Sequence, residues 1–130
     1  MWALVIEDDA HSLRAISDIL REQGIEFKRN TTGAKVLERL REMHPRPDFI
    51  LLDIDLPQAD SFDIAADIRR DRNLRKIPII CLGEAVTDQL VERAQQSGCH
   101  SFLTKPLPRH QFAHMLHKIL NGEQFWALAV

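Results

Sequence analysis

Short apolar runs alternate along this chain with longer segments in which apolar residues recur every three or four positions. The apolar runs predict strands at residues 2–6, 48–53, 77–82 and 101–104, and Ile25 and Phe27, which would lie on one side of an extended segment, predict another at residues 25–28. Some of them, such as residues 49–52, are continuously apolar, which is typical of parallel strands that are buried on both faces.

The segments between the strands have helical periodicity, and residues at their ends match helix caps. The first helix is expected at residues 10–23, with Gly24 as its C-terminal cap, and the second begins at residues 30–33 and ends before Pro45 and Pro47. The third is capped by Asp60 or Ser61, the fourth spans residues 87–97, and the fifth has Pro108 in its first turn. Strands that alternate with helices predict an α/β fold, in which a five-stranded parallel sheet is covered by helices on both faces.

Composition limits the number of domains and the classes of partner. With 130 residues, of which 45% are hydrophobic, the chain is expected to form one domain. We assign residues 1–122 to this domain and residues 123–130 to a short tail, whose Phe125, Trp126 and Leu128 could pack on the body. The formal net charge of −2 supplies no overall basic field for nucleic acid, and the arginine-rich segment 69–76 is interpreted as a solvated helix end.

Cysteine and histidine residues offer little sign of a metal site. Cys81 and Cys99 are the only two cysteines, and without CxxC spacing they predict neither a disulfide framework nor a zinc site. We interpret them as reduced thiols of a cytoplasmic protein, because the sequence shows no secretory signal and no apolar stretch of about 20 residues that could span a membrane. His110, His114 and His117 share one stripe of the last helix, which is interpreted as a solvated surface open to protein contacts rather than a zinc site.

Charged residues follow three of the predicted strands. Glu7 and Asp8 come directly after the first strand, Asp53 ends the third, and Lys105 follows the fifth. The carboxyl ends of parallel strands meet at one edge of a sheet, where ligands of such folds bind. Clustered carboxylates repel one another unless a cation lies among them, and their oxygens are the ligands that Mg²⁺ prefers. A lysine beside them suits a phosphoryl group, so the sequence predicts a site for a divalent cation and a phosphoryl group.

These motifs resemble the receiver domains of two-component response regulators. The matches are Glu7-Asp8 to the acidic pair, Asp53 with Leu56-Pro57 to the phosphoacceptor and its following turn, Lys105-Pro106 to the Lys-Pro pair, and Phe102 to the aromatic switch position. The resemblance covers residues 2 to about 121 and implies the doubly wound (βα)5 arrangement of flavodoxin-like, CheY-like proteins.

The resemblance also implies roles for individual residues. Asp53 would accept a phosphoryl group from a histidine kinase or a phosphotransfer protein, without the chain being an enzyme in its own right. Mg²⁺ or Mn²⁺ would be held by Asp8, Asp53 and the backbone carbonyl of Asp55, with Glu7 acting through water. Lys105 and the N–H of Glu84 would contact phosphoryl oxygens. The fourth and fifth helices would contact an effector or a second copy of the chain.

One position departs from the family pattern. Relatives usually carry Thr or Ser where this chain has Gly83, so the hydroxyl that would bond a phosphoryl oxygen is absent. The glycine is expected to leave a gap beside the site, and Phe102 is then either a switch residue or an ordinary core residue. Two alternatives stay open: a pseudo-receiver that only binds other proteins, and a haloacid-dehalogenase-type phosphatase, whose DxD motif Asp53-Ile54-Asp55 matches formally.

Overall fold

The computed structural model describes residues 1–126 as a sheet of parallel strands with helices on both faces. In chain order the elements are β1 (Trp2–Ile6), α1 (Ala10–Glu22), β2 (Glu26–Asn30), α2 (Val36–Glu42), β3 (Phe49–Asp53), α3 (Ser61–Arg70), β4 (Ile79–Gly83), α4 (Asp88–Gln96), β5 (Ser101–Thr104) and α5 (Phe112–Leu120). The strand order is β2-β1-β3-β4-β5, and every neighbouring pair is parallel. The predicted α/β fold is confirmed.

The sheet separates two apolar cores. Helices α2, α3 and α4 cover one face, and α1 and α5 cover the other. All residues of β3 and β4 are buried, which explains why their sequences are apolar without alternation. Asp53, the last residue of β3, lies at the carboxyl ends of the strands, where the chain turns towards the next helix.

Helix ends follow the capping residues with some shifts. Asp9, Asp60 and Thr87 are N-caps whose side chains accept hydrogen bonds from backbone N–H groups of the first turn. Strand β2 begins and ends later than expected, so that Asn30 belongs to the strand. The Asn30 side-chain oxygen accepts from the N–H groups of Thr32 and Gly33, and this turn delays α2 until Val36.

The last helix also starts later than the sequence indicates. Pro108 lies in a turn whose carbonyl accepts from the N–H groups of both Gln111 and Phe112, and α5 begins only at Phe112. Beyond α5, the segment 123–126 returns to the sheet, where Phe102 N–H donates to the Phe125 carbonyl at 2.8 Å. Phe125 and Trp126 are half-buried, so this part of the tail packs on the body, whereas Leu128 lies outside the described residues.

Within residues 1–126, none of the helices has the length and apolar character needed to cross a membrane.

Candidate functional site

The charged residues that follow the strands meet at the carboxyl edge of the sheet. Glu7 and Asp8 leave β1, Asp53 ends β3, and each of these three residues offers a carboxylate oxygen within 4.8 Å of the others. Lys105 follows β5, and its backbone N–H donates to the Gly83 carbonyl at 2.9 Å, which holds the lysine loop against the end of β4. The convergence predicted from the strand ends is therefore present in the fold.

Lys105 bridges two of the carboxylates. Its Nζ atom lies 2.6 Å from Glu7 Oε1 and 3.1 Å from Asp53 Oδ1. Glu7 is 1% and Asp53 2% exposed, so both acidic groups are removed from water, whereas Asp8 remains exposed at the rim. A buried acid is expensive unless a cation pairs with it, and one ammonium group here faces two carboxylates. The site therefore carries an uncompensated negative charge.

The pKa values of this group reflect the same imbalance. Burial, reinforced by the Asp53 carboxylate and opposed by Lys105, raises the pKa of Glu7 from 4.5 to about 7. Burial alone would lower the pKa of Lys105, but the two acids outweigh it and raise that pKa. Although Glu7 forms the ion pair, neither of its carboxylate oxygens accepts a hydrogen bond of ordinary geometry among the described residues. Buried oxygens of this kind fit a divalent cation, which supplies the missing positive charge.

Local contacts hold Asp53 in place. The backbone N–H of Asp55 donates to Asp53 Oδ1 at 3.1 Å, and the buried hydroxyl of Ser61 donates to the Asp53 carbonyl. The Ile54 N–H donates to the Leu82 carbonyl at 2.9 Å, so the chain stays paired with β4 one residue beyond the strand. Ser61 therefore ties the start of α3 to the end of β3.

The other residues singled out in the sequence lie around this centre. Asp55 and Glu84 are exposed, and the side chain of Asp55 lies outside the carboxylate cluster, as expected if only its backbone is used. Asp9 is the N-cap of α1, and its side chain accepts from the Ser12 N–H at 2.8 Å. His110, His114 and His117 are all exposed, in agreement with a solvated stripe.

The expected gap at Gly83 is wrong. A Cβ atom placed on Gly83 would lie 2.9 Å from Ile54 Cδ1 and 3.1 Å from Phe102 Cε1, so two apolar side chains already occupy the space. Phe102 is fully buried there, and Ile54 is half-buried. Sequence reasoning missed Ile54, whose only signal is a large apolar residue directly after the acidic end of β3.

Arg69 is a second correction. The arginine-rich segment predicts a solvated helix end, but Arg69 is half-buried and donates to the carbonyls of Gly98 at 2.6 Å and Ile77 at 2.9 Å. It also donates to His100 Nδ1 at 2.8 Å, and that nitrogen accepts from Ile79 N–H as well. Burial and the nearby Arg69 charge lower the pKa of His100 from 6.5 to about 4, so His100 is neutral and serves as an acceptor.

Comparison with known proteins decides the family. The sequence matches the profile of the response regulator receiver domain over residues 3–117. The chain belongs to this family. The receiver is 29% identical over 118 residues to the polar-differentiation response regulator DivK of Brucella ovis, a match that covers 91% of this chain and 94% of that protein.

Solved structures agree with the family. The receiver superposes on a two-component response regulator from Clostridium difficile with a TM-score of 0.81 at 24% identity, covering 93% of this chain and 96% of the other. It superposes on the receiver domain of a signal transduction histidine kinase from Syntrophus aciditrophicus with a TM-score of 0.80 at 26% identity, covering 93% and 90%. The chain is thus a CheY-like receiver domain of two-component signalling.

Proposed function

We propose that this receiver accepts a phosphoryl group on Asp53 in the presence of Mg²⁺ or Mn²⁺, and passes the signal on by protein contacts. The observation that carries the proposal is the bridging position of Lys105 between two buried carboxylates, which still leaves the site short of positive charge. Asp8, Asp53 and the Asp55 carbonyl would hold the cation, with Glu7 acting through a water molecule. When bound, the cation would offset the charge of an incoming phosphoryl group.

The residues of the chain position the acceptor. Asp53 Oδ1 already pairs with Lys105 and accepts from the Asp55 N–H, so Oδ2 is the oxygen from which we expect the bond to phosphorus to form. The phosphorus–nitrogen bond of a phosphohistidine donor breaks as the oxygen–phosphorus bond forms, and the imidazole of the donor leaves. We expect Lys105 to turn from the carboxylates to one phosphoryl oxygen and the Glu84 N–H to donate to another.

Phosphorylation of the intact chain tests the proposal. Incubation with acetyl phosphate and Mg²⁺ should add the mass of one phosphoryl group, and chelation of the metal should prevent it. Asp53→Asn removes the nucleophilic oxygen and should not be labelled, whereas Asp55→Asn keeps the backbone carbonyl and should be labelled like the wild type. Equal labelling of the wild type and Asp53→Asn would contradict the proposal.

A second candidate function is a pseudo-receiver that binds partners without responding to phosphorylation. It is favoured by the surroundings of Phe102, which is fully buried beside Gly83. Position 83 has no threonine or serine whose movement the Phe102 ring could follow. The two candidates differ in the response of the α4 and α5 surface. A beryllofluoride mimic of the phosphoryl group should shift the amide signals of Leu90 and Val91 in a responsive receiver and leave them unchanged in a pseudo-receiver.

The partners follow from the chemistry of the acceptor. We propose a histidine kinase or a phosphotransfer protein as the donor, and an effector or a second copy of the chain as the contact of α4 and α5. We also propose that the domain is an acceptor and not a catalyst of phosphoester turnover. Steady release of phosphate from a generic phosphoester by the purified chain, lost in Asp53→Asn, would instead support the phosphatase alternative.

A further inference from the structure

Two thiols meet in the core beneath α4. Cys81 Sγ and Cys99 Sγ are 2.6 Å apart, although the residues are 18 positions apart in the chain. Non-bonded carbon atoms pack at about 3.5–4.0 Å, and the larger sulfur atoms pack no closer. A disulfide bond measures about 2.05 Å, so the sulfur atoms lie nearer to bonding distance than to ordinary contact. Both are free thiols in this structure, and the chain has only these two cysteines.

The backbone at the end of α4 brings the sulfur atoms together. Cys81 lies in β4 and points into the core shared with α2, α3 and α4. Gly98, with φ of +90°, turns the chain after α4, and the Cys99 N–H donates to the Ala94 carbonyl at 3.0 Å. This turn directs the Cys99 side chain under the helix. Cys81 is fully buried, whereas Cys99 keeps 5% of its surface exposed.

The surroundings make the two thiols chemically different. Contact with Cys81, supported by Ser97 and by the positive charge of Arg69 and opposed by burial, lowers the pKa of Cys99. Contact with Cys99, together with burial, raises the pKa of Cys81. The Ser97 hydroxyl lies 3.7 Å from Cys99 Sγ. A thiol with a lowered pKa and some exposure is the reactive partner of a pair, and its buried neighbour is placed to resolve the product.

We propose that Cys81 and Cys99 form a redox site, in which hydrogen peroxide converts the two thiols into a disulfide. The Cys99 sulfur attacks one peroxide oxygen, the oxygen–oxygen bond breaks, and Cys99 sulfenic acid forms while the leaving hydroxide takes the Cys99 proton to give water. The Cys81 sulfur then attacks Cys99 Sγ, the sulfur–oxygen bond breaks, and the second hydroxide leaves as water with the Cys81 proton. Two thiols are oxidised and one peroxide is reduced to two waters.

Oxidation would restrict the motion of α4 and of the segment that connects it to β4. The bond would link the middle of β4 to the turn after α4, and the closed loop contains Gly83, Glu84 and the whole helix. Helix α4 buries only Ala94 completely, with Leu90 and Val91 half-buried, so few core contacts hold it. A covalent link at this position restricts opening of the helix. The state of the thiols would therefore affect the α4 surface independently of Asp53.

Mass spectrometry of the full chain tests the proposal. Treatment with hydrogen peroxide under native conditions should remove the mass of two hydrogen atoms, leave no thiol that can be alkylated after unfolding, and produce one cross-linked peptide containing Cys81 and Cys99. Dithiothreitol should restore both thiols. Circular dichroism should be unchanged, and amide exchange at Leu90 and Val91 should be slower in the oxidised chain.

Single variants separate the roles of the two residues. In Cys81→Ala the reaction should stop at a Cys99 sulfenic acid that dimedone captures, whereas in Cys99→Ala the buried Cys81 should stay reduced. Three outcomes in the wild-type chain would overturn the proposal: two thiols that remain fully alkylatable, addition of oxygen without a cross-link, or a disulfide that forms only between chains or only after unfolding. Asp53→Asn should oxidise like the wild type, which separates this test from that of the phosphoacceptor.

Discussion

Replacing Gly83 with alanine tests whether the space beside the acidic site is filled. The added carbon would stand 2.9 Å from Ile54 Cδ1 and 3.1 Å from Phe102 Cε1, against an ordinary contact distance of about 3.5–4.0 Å. Phe102 is enclosed by the core, but Cδ1 is the far end of a half-buried side chain that can move. Overpacking by one carbon costs about 1–3 kcal/mol, and we expect the lower part of that range, about 1–2 kcal/mol.

A double-mutant cycle isolates this contact. Ile54→Ala removes both Ile54 atoms that approach position 83 but leaves Phe102 Cε1 in place, so Gly83→Ala should cost less in that background than in the wild type, with a coupling of about 0.5–1 kcal/mol. Urea unfolding of the four proteins measures the effect. In the wild-type background, Gly83→Ala should lower the urea midpoint by about 0.5–1 M. If Gly83→Ala leaves the midpoint of each background unchanged, the space is empty and our argument about Ile54 and Phe102 fails.

Three further predictions concern charge. Because burial raises the folded-state pKa of Glu7 to about 7, the cation-free receiver should lose stability as pH rises from 4.5 to about 7. At pH 7.5 with a chelator, Glu7→Gln should raise the free energy of unfolding, measured with urea, by on the order of 1–3 kcal/mol. Mg²⁺ should stabilise Glu7→Gln less than it stabilises the wild type. Calorimetric titration should show that Asp8→Ala weakens Mg²⁺ binding far more than Asp9→Ala does. Equal losses of affinity would show that the assignment of Asp8 as the metal ligand is wrong by one position. The folded-state pKa of His100 is lowered from 6.5 to about 4, so its contribution to stability is complete above pH 6.5 and lost as pH falls towards 4. Urea midpoints of His100→Asn, which keeps an acceptor, should fall less over that window, and an identical pH profile would show that His100 does not titrate as described.

The sequence predicts the fold well because the central strands, which are buried on both faces, stand out as apolar runs. A run such as residues 49–52 is apolar because helices cover both faces of β3, and the acids after it must then lie at the carboxyl edge. The convergence of Glu7, Asp53 and Lys105 follows from the parallel order alone. Their positions in the chain thus predict the site without any knowledge of side-chain geometry.

Contacts between distant side chains were not predictable in the same way. Gly83 suggests a gap only if its neighbours are unknown, and nothing in the sequence indicates that Ile54 and Phe102 turn into that space. Arg69 reads as a surface residue within an arginine-rich segment, yet Gly98 leaves room for its aliphatic part to pack closely. The proximity of Cys81 and Cys99 depends on the same turn, whose direction no local pattern specifies.

The return of the tail to β5 has a consequence for assembly. Strand β5 lies at one edge of the sheet, where unpaired N–H groups could recruit a strand from another molecule. The Phe125 carbonyl takes the Phe102 N–H, and Ser101 Oγ accepts from the Phe125 N–H at 3.0 Å, so this edge is covered from within the chain. The opposite edge strand, β2, carries exposed charges such as Lys28 and Arg29, which disfavour pairing with a strand from another molecule. Shortening the chain after Gly122 would uncover the β5 edge next to a buried phenylalanine and open a route to strand-by-strand aggregation.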